Sequence, residues 1–267
     1  MKRVDVGDVS LSVVDEGHGP TLLFLHGFPL DGSMWDAQRA CFSARYRVIV
    51  PDLRGFGASD ASNGLATMEQ LADDCARLLD ALAIATPVVL AGLSMGGYVA
   101  WQFWRRHRER LRALLLCNTR ALADAPEIAR GRLQTAESVL AQGPQIMAEP
   151  MLRRLFAPQT WQAMPERVEA MRRAIHQASP RGVAAALRGM AQRPDVTAWL
   201  SQISIPTLLV GGEHDGISPP EEMKAIAAQM PQAEYREIPA AGHMAPYEQP
   251  TAFNTLVAEW LARLPSN

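Results

Sequence analysis

The sequence predicts an α/β fold: a mostly parallel, eight-stranded sheet flanked by helices, with a helical lid inserted after the sixth strand. Three observations predict it. Short apolar runs such as Thr21-Leu22-Leu23-Phe24-Leu25 and Val88-Val89-Leu90 alternate with stretches of helical periodicity, the signature of strand–helix–strand units. The alternation breaks once, between Leu122 and Ser201, where no strand pattern is found and seven prolines punctuate an Ala-, Arg-, Met- and Leu-rich stretch. Finally, Gly92-Leu93-Ser94-Met95-Gly96 lies between an apolar run and a helix-forming run, Tyr98 to Trp104, which is the strand–turn–helix setting in which Gly-x-Ser-x-Gly acquires a chemical meaning.

Taken in order, residues 2–14 alternate around Gly7-Asp8 and predict an antiparallel hairpin at a sheet edge. Thr21–Leu25 reads as a buried strand ending in His26-Gly27-Phe28-Pro29-Leu30. Ser33 to Ala44 reads as a helix with Ser33 as its N-cap. Tyr46 to Val50 is the next strand, followed by the Gly-rich loop Pro51 to Asp60. Thr67-Met68-Glu69-Gln70 is a capping box opening a helix to Leu82. After the Ser94 turn and its helix comes a strand from Leu111 to Cys117. Prolines 126, 144, 150, 158, 165, 180 and 194 then cut the insertion into short helices. Ile205 to Val210 and Glu234 to Ile238 resume the strand pattern, with helices over Pro219–Met230 and Ala252–Leu264. The core is therefore expected over residues 1–121 and 202–267, and the lid over 122–201.

Composition excludes several function classes. A net charge of -2 over 267 residues offers no electrostatic footprint for nucleic acid or an anionic membrane. No apolar run reaches the length of a membrane span, and the N-terminus lacks the apolar stretch of a signal peptide, so a cytoplasmic protein is expected. Cys41, Cys75 and Cys117 are too few and too scattered for a disulfide framework or a zinc site and are expected to be buried free thiols.

The candidate chemistry lies at the ends of predicted strands. A serine hydroxyl is a poor nucleophile until a base accepts its proton and a third group fixes the base's tautomer. Ser94 is the candidate nucleophile. Of six histidines, His243, in the small-residue loop after the last strand, is the expected base, with His214 as its competitor. Asp215, in the loop after the preceding strand, is the expected acid; Asp124 is the fallback, and Glu213 is assigned a solvated or structural role. The N–H groups of Met95 and Phe28 are the expected oxyanion donors. His26 is expected to brace the Phe28 loop.

With these motifs in hand, the chain resembles the α/β-hydrolase superfamily over nearly its whole length. His26-Gly27-Phe28-Pro29 is similar to the oxyanion loop, Gly92–Gly96 to the nucleophile elbow, Gly212-Glu213-His214-Asp215 to the acid loop and Gly242-His243 to the histidine loop. Within the superfamily it looks most like small bacterial carboxylesterases and enol-lactonases. The serine at position 94 departs from the Asp nucleophile of haloalkane dehalogenases and epoxide hydrolases, and Phe28-Pro29-Leu30 departs from the Gly-Pro-Gly of prolyl aminopeptidases. Phe28-Pro29 does resemble the Trp-Pro of cofactor-free perhydrolases. The resemblance implies a serine hydrolase of small to medium apolar esters or lactones, requiring no metal or organic cofactor, with a perhydrolase side activity. The alternative is a ligand receptor of the same fold with little turnover. Met147, Met151, Leu155, Phe156 and Trp161, large apolar residues of the lid, are the expected substrate contacts; the arginines at 153, 154, 172 and 173 are expected on solvated helix faces.

Overall fold

The structure is a computed structural model describing residues 1–61 and 64–265. Its strands are β1 (Lys2–Asp5), β2 (Ser10–Glu16), β3 (Thr21–Leu25), β4 (Arg47–Pro51), β5 (Val88–Leu93), β6 (Leu111–Cys117), β7 (Thr207–Gly212) and β8 (Ala233–Ile238). They form one sheet in the order β1-β2-β4-β3-β5-β6-β7-β8. The β1–β2 hairpin and the β2–β4 pair are antiparallel, and all other pairs are parallel. Because β3 lies between β4 and β5, the chain reverses its direction of travel across the sheet there. The loops leaving β3 and β5 consequently emerge side by side at the carboxyl edge, where ligands bind in such sheets.

Helices cover both faces: α1 (Asp36–Phe42), α2 (Met68–Ala81), α3 (Met95–His107), α4 (Pro126–Gln142), α5 (Ala148–Leu155), α6 (Pro158–Ala163), α7 (Pro165–Gln177), α8 (Pro180–Ala191), α9 (Pro220–Ala228), α10 (Ala245–Glu248) and α11 (Pro250–Arg263). Alternate residues of each central strand divide between two apolar clusters. Leu23, Leu25, Leu90, Leu114 and Leu209 pack with α2, α3 and α9, whereas Leu22, Phe24, Val89, Leu115 and Val210 pack with α1 and α11. This period of two on strands buried from both sides explains why they read as unbroken apolar runs.

Helices α4 to α8 occupy the stretch between β6 and β7 that the sequence assigns to the lid. Pro126, Pro158, Pro165 and Pro180 each open a helix, where the missing N–H costs nothing. Their buried side chains join the two clusters of the sheet: Val183 and Leu187 on one side, Leu152, Val168 and Ile175 on the other.

Two local expectations are corrected. Asp31, not Ser33, caps the turn leading into α1, because its carboxylate accepts from both the Ser33 N–H (2.9 Å) and the Ser33 hydroxyl (2.5 Å). The serine is consumed as a donor. Cys41 is exposed, unlike Cys75 and Cys117, because it falls beside the Gln38–Phe42 stripe that α1 buries. Burial pushes the thiols of Cys75 and Cys117 well up from their ordinary value. The Thr67 cap forms as the sequence predicts, accepting from the Gln70 N–H at 3.1 Å. No helix among the described residues is long and apolar enough to cross a membrane.

Candidate active site

Ser94 follows the last residue of β5 and precedes α3, with φ 54° and ψ −111°. A non-glycine residue at positive φ is sterically costly and is retained only where its surroundings enforce it. Here they do. The Ser94 N–H donates to the Cys117 carbonyl at 2.9 Å, and the Ser94 carbonyl accepts from Gly97 N–H (2.9 Å), Tyr98 N–H (3.2 Å) and the Thr119 hydroxyl (2.9 Å). The glycines of the motif have one steric reason each. A Cβ at Gly92 would strike the Gly96 carbonyl, one at Gly96 would strike the Leu25 carbonyl, and one at Gly97 would strike Thr119. The side chain of Ser94 is thus presented, partly exposed, at the edge where β3 and β5 end.

Asp215 lies in the turn after β7 and His243 in the loop after β8. Both are buried, and the His243 Nδ1 lies 2.9 Å from Asp215 Oδ2. A carboxylate can only accept, so Nδ1 carries a proton, and Nε2 is the ring nitrogen left to exchange one with another group. Asp215 is fully engaged. Oδ1 accepts from the Ile217 N–H (2.8 Å) and Ser218 N–H (3.1 Å). Oδ2 accepts additionally from Asn118 Nδ2 (2.9 Å) and the Ser218 hydroxyl (3.1 Å). Burial pushes the Asp215 carboxyl up, but the charge and hydrogen bond of His243, helped by Asn118 and the Ile217 N–H, outweigh it and hold the group at about 2.

The competing residues are occupied elsewhere. The Asp124 side chain is held between Arg132 and Arg193, with the Arg193 guanidinium 2.7 Å away. His214 is largely exposed and faces Glu213, whose carboxylate accepts from the Ala240 N–H at 2.8 Å. His18 and His176 are exposed, and His107 is paired to Asp73 at 2.7 Å.

Phe28 follows β3, and Met95 opens the helix that follows the neighbouring strand β5. A Cβ built on Gly27 would lie 3.5 Å from the Ser94 Cβ, so the backbone before Phe28 passes beside Ser94. Met95 is the first residue of α3, where the N–H has no intrahelical acceptor and the helix dipole favours negative charge. His26, fully buried, braces this loop. Its Nε2 accepts from the Leu53 N–H at 2.9 Å, so its Nδ1 carries the proton and donates to the Gly27 carbonyl at 2.9 Å. Burial lowers the His26 pKa from its ordinary 6.5, against the Gly27 hydrogen bond and the charges of Asp52 and Asp31.

Of the lid residues, Leu155 and Phe156 are buried in the cluster that contains Met244 of the histidine loop, Trp161 packs partly against it, and Met151 packs against both clusters. Met147 belongs to the opposite cluster. Trp161 lines a groove with Pro165, Glu166, Val168, Glu169 and Arg172, all lid residues, under the Arg153 guanidinium. A cleft of about 450 Å³ opens between Pro29-Leu30-Asp31 and Ala174–Ala178 of the lid, lined by none of Ser94, Asp215 and His243. Among the described residues no group of three or more His, Cys, Asp or Glu side chains is arranged to hold a metal ion.

Sequence reasoning missed Asn118 and Ser218. Asn118 is buried with φ 47°, and its amide joins Asp215 to the Gly242 carbonyl (3.3 Å). Its one legible signal is its place immediately after β6. Ser218 bridges Asp215 and His243, its Oγ 3.3 Å from Nδ1.

Residues 20–250 match the alpha/beta hydrolase fold family. The chain is similar to a thermophilic esterase from Thermogutta terrifontis, with a TM-score of 0.95 and 48% identity over 97% of this chain and 95% of that one. An enol-lactonase from Burkholderia xenovorans superimposes with a TM-score of 0.91 at 28% identity, over 98% of this chain and 100% of the other. 3-Oxoadipate enol-lactonase 2 of Acinetobacter baylyi is 31% identical over 96% of this chain and 94% of its own length. On the extent of the family match and the order of its strands, the chain belongs to the α/β-hydrolase fold family.

Proposed function

We propose that this enzyme, a hydrolase of carboxylic ester bonds of the esterase and enol-lactonase type, works through a covalent acyl-Ser94. Nε2 of His243 takes the Ser94 proton as the oxygen attacks the ester carbonyl. The C–O bond to the alcohol breaks as His243 returns the proton to the leaving oxygen. Water, deprotonated by the same nitrogen, then attacks the acyl carbon and releases acid and serine. The N–H groups of Phe28 and Met95 receive the oxyanion, each worth about 3 kcal/mol of barrier in such a site. In a lactone the leaving alcohol stays tethered to the acyl group, and the steps are unchanged.

One observation carries this reading: the Asp215–His243 hydrogen bond of 2.9 Å sits at the same sheet edge as a serine strained into the turn after β5. Leu155 and Phe156, whose backbone touches the histidine loop, support a small to medium apolar acyl group as substrate. Peroxide replacing water in the second half-reaction would give a peracid, and Phe28-Pro29 supports that side activity.

The test is turnover of a graded panel of p-nitrophenyl esters and lactones by the wild type and Ser94→Ala. The expected result is multiple turnover abolished by the substitution, with a rapid release of one equivalent of nitrophenol where deacylation is slow. A wild type that stops after a single turnover would instead favour a receptor of the same fold, and full activity in Ser94→Ala would remove the acyl-serine mechanism.

A further inference from the structure

Glu248, the last residue of α10, is fully buried, yet takes no part in the proton transfers above. Every recorded partner of its carboxylate is a donor. Oε1 accepts the Gly242 N–H at 2.8 Å, in the residue preceding His243. Oε2 accepts the Ala157 N–H at 2.8 Å and the Thr160 hydroxyl at 2.5 Å, both on the lid at the start of α6. The two oxygens therefore face opposite ways, one toward the histidine loop and one toward the lid. Three further features draw the same parts together. The Met244 N–H donates to the Leu155 carbonyl at 3.2 Å. Arg167 of α7 donates to the Tyr247 and Glu248 carbonyls at 2.6 and 3.1 Å. A Cβ on Gly242 would come within 2.6 Å of the Ala157 nitrogen, so the loop and lid backbones are in direct contact.

We propose that Glu248 is a positioning residue for the hydrolytic reaction: its carboxylate clamps the histidine loop to the lid segment Ala157–Thr160, so that the seat of His243 depends on how the lid is docked. This rests on the reading of His243 as the general base. A buried carboxylate with donors on both oxygens suits this task better than any neutral side chain. Glutamine, nearly the same shape, offers one acceptor oxygen and one donor nitrogen. Whichever way its amide turns, an N–H is left facing a backbone N–H, either at Gly242 or at Ala157, while the Thr160 hydroxyl can turn to accept. Glu248→Gln thus releases one side of the clamp without opening a cavity. A loosened base costs catalysis rather than binding, because a shift on the order of 1 Å in a reacting group lowers the rate by about a hundredfold.

The experiment is Glu248→Gln and Thr160→Val, with wild type and Ser94→Ala as references. Active sites are counted by end-point titration with a fluorophosphonate, so that kcat refers to folded, competent protein. The expected result is a fall in kcat of about ten- to a hundredfold per titrated site for Glu248→Gln, with KM within about twofold of wild type. The far-downfield proton resonance of the His243–Asp215 hydrogen bond should move or broaden with it. Thr160→Val, which removes one lid donor, should lower kcat in the same direction by a smaller factor. An unchanged kcat per titrated site in Glu248→Gln, even with a lowered Tm, would overturn the proposal and leave Glu248 a structural acid. If Glu248→Gln does not fold, Thr160→Val decides alone: kcat reduced threefold or more supports the clamp, and an unchanged kcat overturns it. If Ser94→Ala keeps its activity, the acyl-serine reading has failed; if only the Glu248 and Thr160 variants behave like wild type, the clamp has failed and that reading stands.

Discussion

Replacing Asp215 by asparagine probes the proposed pairing of acid and base more sharply than alanine, because the shape of the side chain is kept. The amide oxygen can take the place of Oδ1 and retain the Ile217 and Ser218 N–H bonds. The amide nitrogen then occupies the Oδ2 position, facing His243 Nδ1 and Asn118 Nδ2, each 2.9 Å away. Two consequences follow. His243 can accept that N–H only by moving its own proton to Nε2, and a protonated Nε2 cannot take the proton of Ser94. A base held in the wrong tautomer loses on the order of 10⁴ in kcat, about 5 kcal/mol of barrier. The Asn118 amide meanwhile loses an acceptor and confronts another donor. Stability should fall as well. The carboxyl is held down from 3.8 to about 2, which corresponds to about 2 kcal/mol of folding free energy at neutral pH. Since the folded pKa lies below the unfolded one, this contribution is complete above pH 3.8 and disappears as the pH falls through about 2. The assay is p-nitrophenyl butyrate hydrolysis, normalised by active-site titration, with urea unfolding at pH 7. A kcat within tenfold of wild type would refute the assignment of Asp215 as the partner of the base.

His26 should leave a signature in the pH dependence of stability. Its folded pKa is lowered from 6.5 by burial, so below pH 6.5 the unfolded chain binds a proton that the folded chain refuses. Stability should decline with falling pH by up to about 1.4 kcal/mol per unit, and His26→Gln should flatten that part of the urea-midpoint profile. Asn118→Ala removes a hydrogen bond to the Asp215 carboxylate, of the kind worth about 1.5–3 kcal/mol; kcat should fall roughly ten- to a hundredfold with KM little changed, and unaltered kinetics would reduce Asn118 to a backbone spacer. Gly96→Ala drives a methyl group into the Leu25 carbonyl and should lower Tm and kcat together, checked by calorimetry beside the ester assay. Peracid formation from acetate and peroxide, measured in wild type and Pro29→Leu, should appear in the former and change in the latter; its absence from both removes the side activity.

What could be read in the sequence shares a physical origin. A strand buried on both faces must be an apolar run, and a helix must open with a residue that tolerates an unpaired N–H. Each is a local requirement, met within a few residues, so the alternation of strands and helices, the edge hairpin and the proline-led lid helices were all visible. The three residues proposed as a triad were picked out by the same kind of local pattern: Ser94, Asp215 and His243 each sit in a short turn or loop after a strand. Local reasoning failed where several donors compete for one acceptor, as when Asp31 took both Ser33 donors and displaced it as a cap.

Tertiary structure alone decided which side chains meet. Asn118 reaches Asp215 across 97 positions, and Thr160 reaches Glu248 across 88. Neither sits in a motif, because a hydrogen bond between distant segments constrains only the two atoms that make it and leaves the flanking residues ordinary. The same holds for the lid, whose apolar residues are legible as a set but divide between the sheet's two faces only when α4 to α8 are folded onto it. Local steric and solvation rules therefore placed the strand-end turns in the sequence, and the packing of remote elements settled what braces them.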